Sequence, residues 1–170
     1  MKLLYAPWRS EYTTSTARTK NETVLREECI FCTQLHESND EKNFIIKRFP
    51  HSIVMFNLYP YNAGHLLVMP LDHIGYIDGL PPEVQSELMW LVGKSSTILK
   101  EFLGAEGINI GINMGKAAGA GIPAHIHIHV LPRWIGDTNF LPTLSETKVI
   151  SYDLHTIYKK LKKAFDKIRR

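Results

Sequence analysis

His125-Ile126-His127-Ile128-His129-Val130-Leu131 decides how this chain is read. Side chains along a β-strand alternate between faces with period two. A strand over Ala124–Leu131 therefore sends Ile126, Ile128 and Val130 into a core and His125, His127 and His129 out from the other face, neighbouring imidazoles about 7 Å apart. Imidazole changes protonation near neutral pH, so each can act as nucleophile, acid, base or metal ligand. Two other readings compete. One is a half-exposed strand whose polar positions merely happen to be His, in a chain with eight histidines. The other is a metal triplet of the His-x-His-x-Asp-His type, but no acidic residue lies in the run, and Asp137 lies past Pro132 and Gly136.

Working outward, Phe44–Phe49, Ile53–Phe56 and His65–Met69 read as strands, with turn signals at Pro50-His51 and Pro60–Gly64. Connections this short suit an antiparallel meander. Pro81 and Pro82 open a long helix that runs to about Phe102, with Gly104 as its stop signal. A strand over Ile108–Asn113 follows and is joined to the histidine strand by the glycine-rich loop Gly115–Gly121. That loop either turns backbone amides toward phosphate or is an ordinary hairpin connection. A C-terminal helix at about 151–169 sets Leu154, Ile157, Leu161, Phe165 and Ile168 opposite a lysine-rich face, which reads as solvated. Residues 10–23 and Gln34–Asn43 are polar and lack periodicity, so they read as extended or loop segments, the first following an anchor at Tyr5–Arg9.

With 170 residues the chain forms one domain, an N-terminal extension over 1–28 and a core of ordinary size. A hydrophobic fraction of 44% and a charged fraction of 22% are globular values, and a net charge of +3 does not argue for nucleic acid. No stretch approaches the roughly 20 apolar residues of a membrane span, and the apolar start is too short for a signal peptide, so a cytoplasmic protein is expected. Both cysteines lie in Cys29-Ile30-Phe31-Cys32. No thioredoxin-like βαβ pattern surrounds them, which leaves a zinc site or two reduced thiols. Tetrahedral zinc needs two further ligands, for which His73 and one His of the 125–129 run are the natural candidates. With four protein ligands such a metal is structural, because no coordination position stays open for water.

The run His125–Leu131 resembles the His-φ-His-φ-His-φ-φ motif of the histidine triad (HIT) superfamily, and Gly64-His65-Leu66-Leu67-Val68-Met69-Pro70 with His73 is similar to that family's upstream segment. The resemblance implies an α+β fold: an antiparallel sheet of about five strands with a long central helix and a C-terminal helix, usually assembled as a homodimer or higher homo-oligomer. It implies a nucleotide held covalently on His127, His129 serving the leaving phosphate, and His65 and His125 in support. Asn113 resembles the residue that contacts the α-phosphate, and Asn57 the one that meets the ribose. Asn57 and His65 each also read as local backbone caps beside turns. Cys29, Cys32, His73 and His125 match the zinc ligands of many bacterial members.

Tyr5-Ala6-Pro7-Trp8-Arg9, Ala118–Gly121, Arg133–Phe140 and Lys148-Val149-Ile150 resemble the bacterial diadenosine tetraphosphate (Ap4A) phosphorylase-like branch. That branch implies phosphorolysis of Ap4A to ATP and ADP, with inorganic phosphate as acceptor. Many relatives carry Gln-Ser/Thr just before the triad, where this chain has Ala120-Gly121-Ile122-Pro123-Ala124. Lys116 and the amides around Gly119 and Gly121 are the expected substitutes for phosphate binding. Hydrolysis of nucleoside phosphoramidates or adenylated small molecules is the alternative enzyme reading, and non-catalytic nucleotide binding is the alternative from another class.

Overall fold

A computed structural model describes residues 25–37, 39–140, 144 and 153–169. The expected anchor at Tyr5–Arg9, the polar segment 10–23 and Lys148-Val149-Ile150 lie outside the described residues. The elements in chain order are α1 (Ile30–His36), β1 (Ile45–Arg48), β2 (Ser52–Phe56), β3 (Leu66–Pro70), α2 (Pro82–Leu103), β4 (Gly107–Ile112), β5 (Ile128–Arg133) and α3 (Leu154–Asp166). The strands form one antiparallel sheet in the order β1-β2-β3-β5-β4. The meander of β1, β2 and β3 and the expected α+β class both hold. Helix α2 carries the chain over to the far edge strand β4, and β5 returns between β3 and β4, so His129 sits between Leu67 and Gly111.

Both faces of the sheet are covered, which is why β2 and β3 read as unbroken apolar runs. Val54, Phe56, Leu66, Val68, Ile128 and Val130 pack under Leu88, Leu91 and Leu99 of α2 and Ile157, Leu161 and Phe165 of α3. Ile45, Ile53, Met55, Leu67 and Met69 pack against Cys29, Phe31 and Cys32 on the opposite side. Pro82 opens α2 in the first turn, where its missing N–H costs nothing. Gly104 ends it in the left-handed region at φ 65°, donating to Lys100 O at 3.1 Å. Truncating Leu91, which is fully buried against this sheet, to Ala costs about 2–5 kcal/mol.

The fold departs from the sequence reading at three places. The β5 ladder begins at Ile128 rather than Ala124, because the loop takes up the preceding amides: Ile126 N–H donates to Ile74 O at 2.7 Å and His125 N–H to Ile122 O at 3.3 Å. The alternation survives without the ladder, since Ile126 still enters the α2 core. Helix α1, whose start reads from sequence as the cysteine motif and whose end falls in the polar stretch Gln34–Asn43, is only seven residues long and owes its stability to the packing of Phe31 and Cys32. Helix α3 is shorter than 151–169. Asp153 caps its start by accepting from Thr156 N–H at 2.7 Å, and Lys47 Nζ closes its end by donating to Phe165 O, Asp166 O and Ile168 O. Among the described residues no helix is long and apolar enough to cross a membrane.

Candidate active site

Cys29 and Cys32 are brought by α1 against the end of β3 and the approach to β5, and there they meet His73 and His125. Their four ligand atoms all lie within 4.8 Å of one another. Cys29 Sγ is 3.7 Å and Cys32 Sγ 3.6 Å from His125 Nδ1, and Cys32 Sγ is 3.3 Å from His73 Nδ1. Tetrahedral zinc, with bonds of about 2.3 Å to sulfur and about 2.05 Å to nitrogen, requires sulfur–nitrogen edges of about 3.6 Å, so the donor set fits in both size and chemistry. Burial pushes the Cys32 thiol up to about 11, helped by its hydrogen bond to Cys29. Without a cation, then, Cys32 stays protonated. His125 is oriented to serve the same set of donors, because its Nε2–H donates to Pro70 O at 3.0 Å and leaves the Nδ1 lone pair facing the sulfurs.

Main-chain groups set the direction of the other imidazoles as well. His127 Nδ1–H donates to His125 O at 2.8 Å, so its Nε2 carries a free lone pair. Tyr61 N–H donates to His65 Nδ1 at 3.1 Å, and Asn57 Nδ2 lies 3.3 Å from the same nitrogen. The His65 proton therefore sits on Nε2 and is donated to His129 Nδ1 at 2.9 Å, which leaves the proton of His129 on its own Nε2. The result is one bare nitrogen on His127 beside one N–H on His129, in rings whose centroids are 5.0 Å apart. Burial keeps these rings neutral. It lowers His65 to about 3 and His129 to about 4, with the neighbouring imidazoles adding to it, and it lowers His127 against the opposing pull of the His125 carbonyl.

His127 and His129 border a cavity of about 340 Å³, with Asn57, Asn113, Gly119 and Gly121 also in its wall. His65 stands behind His129 and does not line the cavity. Asn57 lines the cavity and is also a turn cap, its Oδ1 accepting from Tyr59 N–H at 2.9 Å. Asn113 Nδ2 donates to Gly119 O at 3.4 Å and so ties β4 to the glycine loop. Lys116 is exposed in the 3₁₀ turn Lys116–Ala118, next to the cavity wall rather than in it. Arg133 is engaged elsewhere too. It grips Asp137 at 2.6 and 2.8 Å and Asn109 Oδ1 at 2.8 Å, and together with Asn62 and Trp134 N–H it builds a corner at the end of β5. That clasp holds the Asp137 carboxyl well below the usual carboxylate range. Sequence reasoning misses Ile30, Phe31 and Gln34 on the α1 side of the cavity and Tyr59 and Tyr61 at its rim. The available signal for the first group is helical spacing, Ile30 and Phe31 to Gln34, around the cysteine pair.

The chain that carries this tetrad, these imidazoles and the cavity beside them is similar to known proteins. The family model described as the HIT domain matches residues 38–134. The chain belongs to the HIT family. Within the HIT family, AP-4-A phosphorylase of Mycobacterium tuberculosis is 31% identical over 150 residues, covering 88% of this chain and 77% of that protein. The asymmetrical bis(5'-nucleosyl)-tetraphosphatase of Schizosaccharomyces pombe is 34% identical over 82 residues, covering 48% of this chain and 44% of that protein. The crystal structure of a Zn-bound histidine triad family protein from Mycobacterium smegmatis superposes with a TM-score of 0.67 at 28% identity, covering 84% of this chain and 96% of that one.

Proposed function

We propose that this HIT chain is a zinc-containing nucleotidyltransferase that cleaves dinucleoside polyphosphates through a nucleotidyl adduct on His127, with phosphorolysis of Ap4A to ATP and ADP as its reaction. The observation that carries the reading is the polarity of the relay. The bare Nε2 of His127 is the nucleophile for the α-phosphorus, and the N–H of His129 faces the oxygen that must leave. In the first step the nitrogen–phosphorus bond forms, the bond from the α-phosphorus to the bridging oxygen breaks, and His129 donates a hydrogen bond to the departing ATP. His65 supports this by donating to the far nitrogen of His129. In the second step an oxygen of inorganic phosphate displaces His127 from the adduct and yields ADP. The Mycobacterium tuberculosis and Schizosaccharomyces pombe relatives support this substrate class by their names.

Cys29, Cys32, His73 and His125 are the residues that would hold zinc. Four protein ligands give it a bracing role between α1 and the start of the triad segment, with no reacting position. A reduced thiol pair of this kind suits the cytoplasm. The outer edge of β4, where Ile110 is 52% exposed, is the place at which a second copy would extend the sheet into a homodimer.

One observation favours a second reading, with water as acceptor: no Lys or Arg is in the described wall of the cavity to hold a second anion. This would make the chain a hydrolase of dinucleoside polyphosphates, nucleoside phosphoramidates or adenylated small molecules through the same first step. Incubating the protein with Ap4A, with and without phosphate, and separating the nucleotides decides between them. ATP with ADP marks phosphorolysis, and ATP with AMP marks hydrolysis.

A further inference from the structure

The relay ends in aromatic rings on both sides. Phe31, 7% exposed, meets His127 edge-on with centroids 5.2 Å apart, and Tyr61, 55% exposed, lies nearly parallel to His129 at 5.8 Å and 20°. His127 takes the nucleotide that is kept, so the buried Phe31 side holds that nucleoside. The chain that leaves must pass His129, and the next ring along that path is Tyr61. The cavity of about 340 Å³ is near the lower end of the range for small-molecule sites, about 300–1,000 Å³, with room for one mononucleotide but not for two nucleosides and their phosphates. The second half of a dinucleoside substrate must therefore rest at the mouth. Tyr59, 84% exposed, and Tyr61 both border that mouth. Tyr61 is also held in place before any ligand arrives. Its N–H is fixed to His65 Nδ1 at 3.1 Å, and its ring packs on His65 with centroids 4.8 Å apart, so little freedom is lost on stacking.

We infer that Tyr61, with Tyr59 beside it, is the stacking platform for the nucleobase of the leaving nucleotide, a second subsite at the mouth of the cavity. This rests on the proposed dinucleoside polyphosphate substrate. A base stacked on an aromatic ring contributes about ten-fold or more in affinity. The subsite reads no hydrogen-bond pattern, so it takes any base and makes the enzyme prefer substrates with a nucleoside at both ends.

The test compares kcat/KM for Ap4A with that for the methyl ester of adenosine 5'-tetraphosphate, which has the same chain length and charge but no second base. Wild type should prefer Ap4A by about ten-fold or more. Tyr61→Phe should keep that preference. Tyr61→Leu combined with Tyr59→Ala should lose it by slowing Ap4A while still turning over the methyl ester. Equal losses on both substrates would mean that the ring serves only to orient His129, and would overturn the inference while leaving the proposed reaction intact. An unchanged preference in the double variant would do the same. Turnover of neither substrate by wild type would remove the proposed reaction itself, and this subsite with it.

Discussion

Acidification should unfold this protein in a way that can be traced to two imidazoles. His65 is fully buried and its pKa is depressed from 6.5 to about 3, and partly buried His129 is lowered to about 4. The unfolded chain takes up both protons near pH 6.5 and the folded chain refuses them. Their contribution to stability is therefore complete above that pH and drains away as the pH falls toward about 4, with His65 continuing to about 3. Each pH unit below 6.5 costs about 1.4 kcal/mol per group, so at about pH 5 His65 has lost about 2 kcal/mol. His129 loses less than this, since solvent reaches it and screens the effect. A combined loss of about 3 kcal/mol is a large share of the roughly 5–15 kcal/mol that holds a domain together. Urea unfolding at about pH 7.5 and about pH 5 measures it, and the double variant His65→Gln/His129→Gln isolates it, because the metal ligands and every other group titrate alike in both proteins. The wild type should lose about 3 kcal/mol more than the double variant across that interval. Equal losses would refute the claim that the folded chain keeps this pair neutral.

Three further outcomes are expected. His127→Asn should lower kcat by several orders of magnitude and leave the unfolding midpoint nearly unchanged, since only the nucleophilic nitrogen is lost; steady-state kinetics with circular dichroism checks both. Elemental analysis should find one zinc per chain, and Cys29→Ser or chelation should lower the thermal midpoint markedly, because α1 has only seven residues and little stability of its own. Gly64→Ala should destabilise the fold by about 1–3 kcal/mol on thermal unfolding, since Gly64 has φ +80° and an added Cβ would come within 2.5 Å of Leu103 Cδ1.

The parts of this molecule that are legible in the sequence are those governed by local rules. Alternation places Ile126, Ile128 and Val130 in the core, and Pro82 and Gly104 bound the long helix to within a residue or so. The spacing Cys29-x-x-Cys32, with His73 and His125, names a set of side chains that the fold does gather. Helix α1 escapes such a reading because seven residues complete barely two turns, and its apolar side, Phe31 and Cys32, looks like nothing more than part of the cysteine motif. Lys116 reads as a phosphate ligand because charge beside glycine is what a sequence displays, whereas the direction in which any turn presents a side chain is tertiary information. The same limit hides Tyr61, whose ring packs on His65 from its own turn and on His129 from a distant strand.

Carbonyl oxygens of Pro70 and His125 choose which nitrogen of His125 and of His127 is bare. An oxygen of the main chain cannot be replaced by mutation. Within this fold, substitutions can delete the chemistry of the triad, but they cannot easily turn it around, because its orientation is held by the path of the backbone. The same three histidines grafted onto a strand elsewhere would arrive without the Pro70 carbonyl, and the ring of His125 would be free to present the wrong nitrogen. What is inherited here is a direction as much as a set of residues.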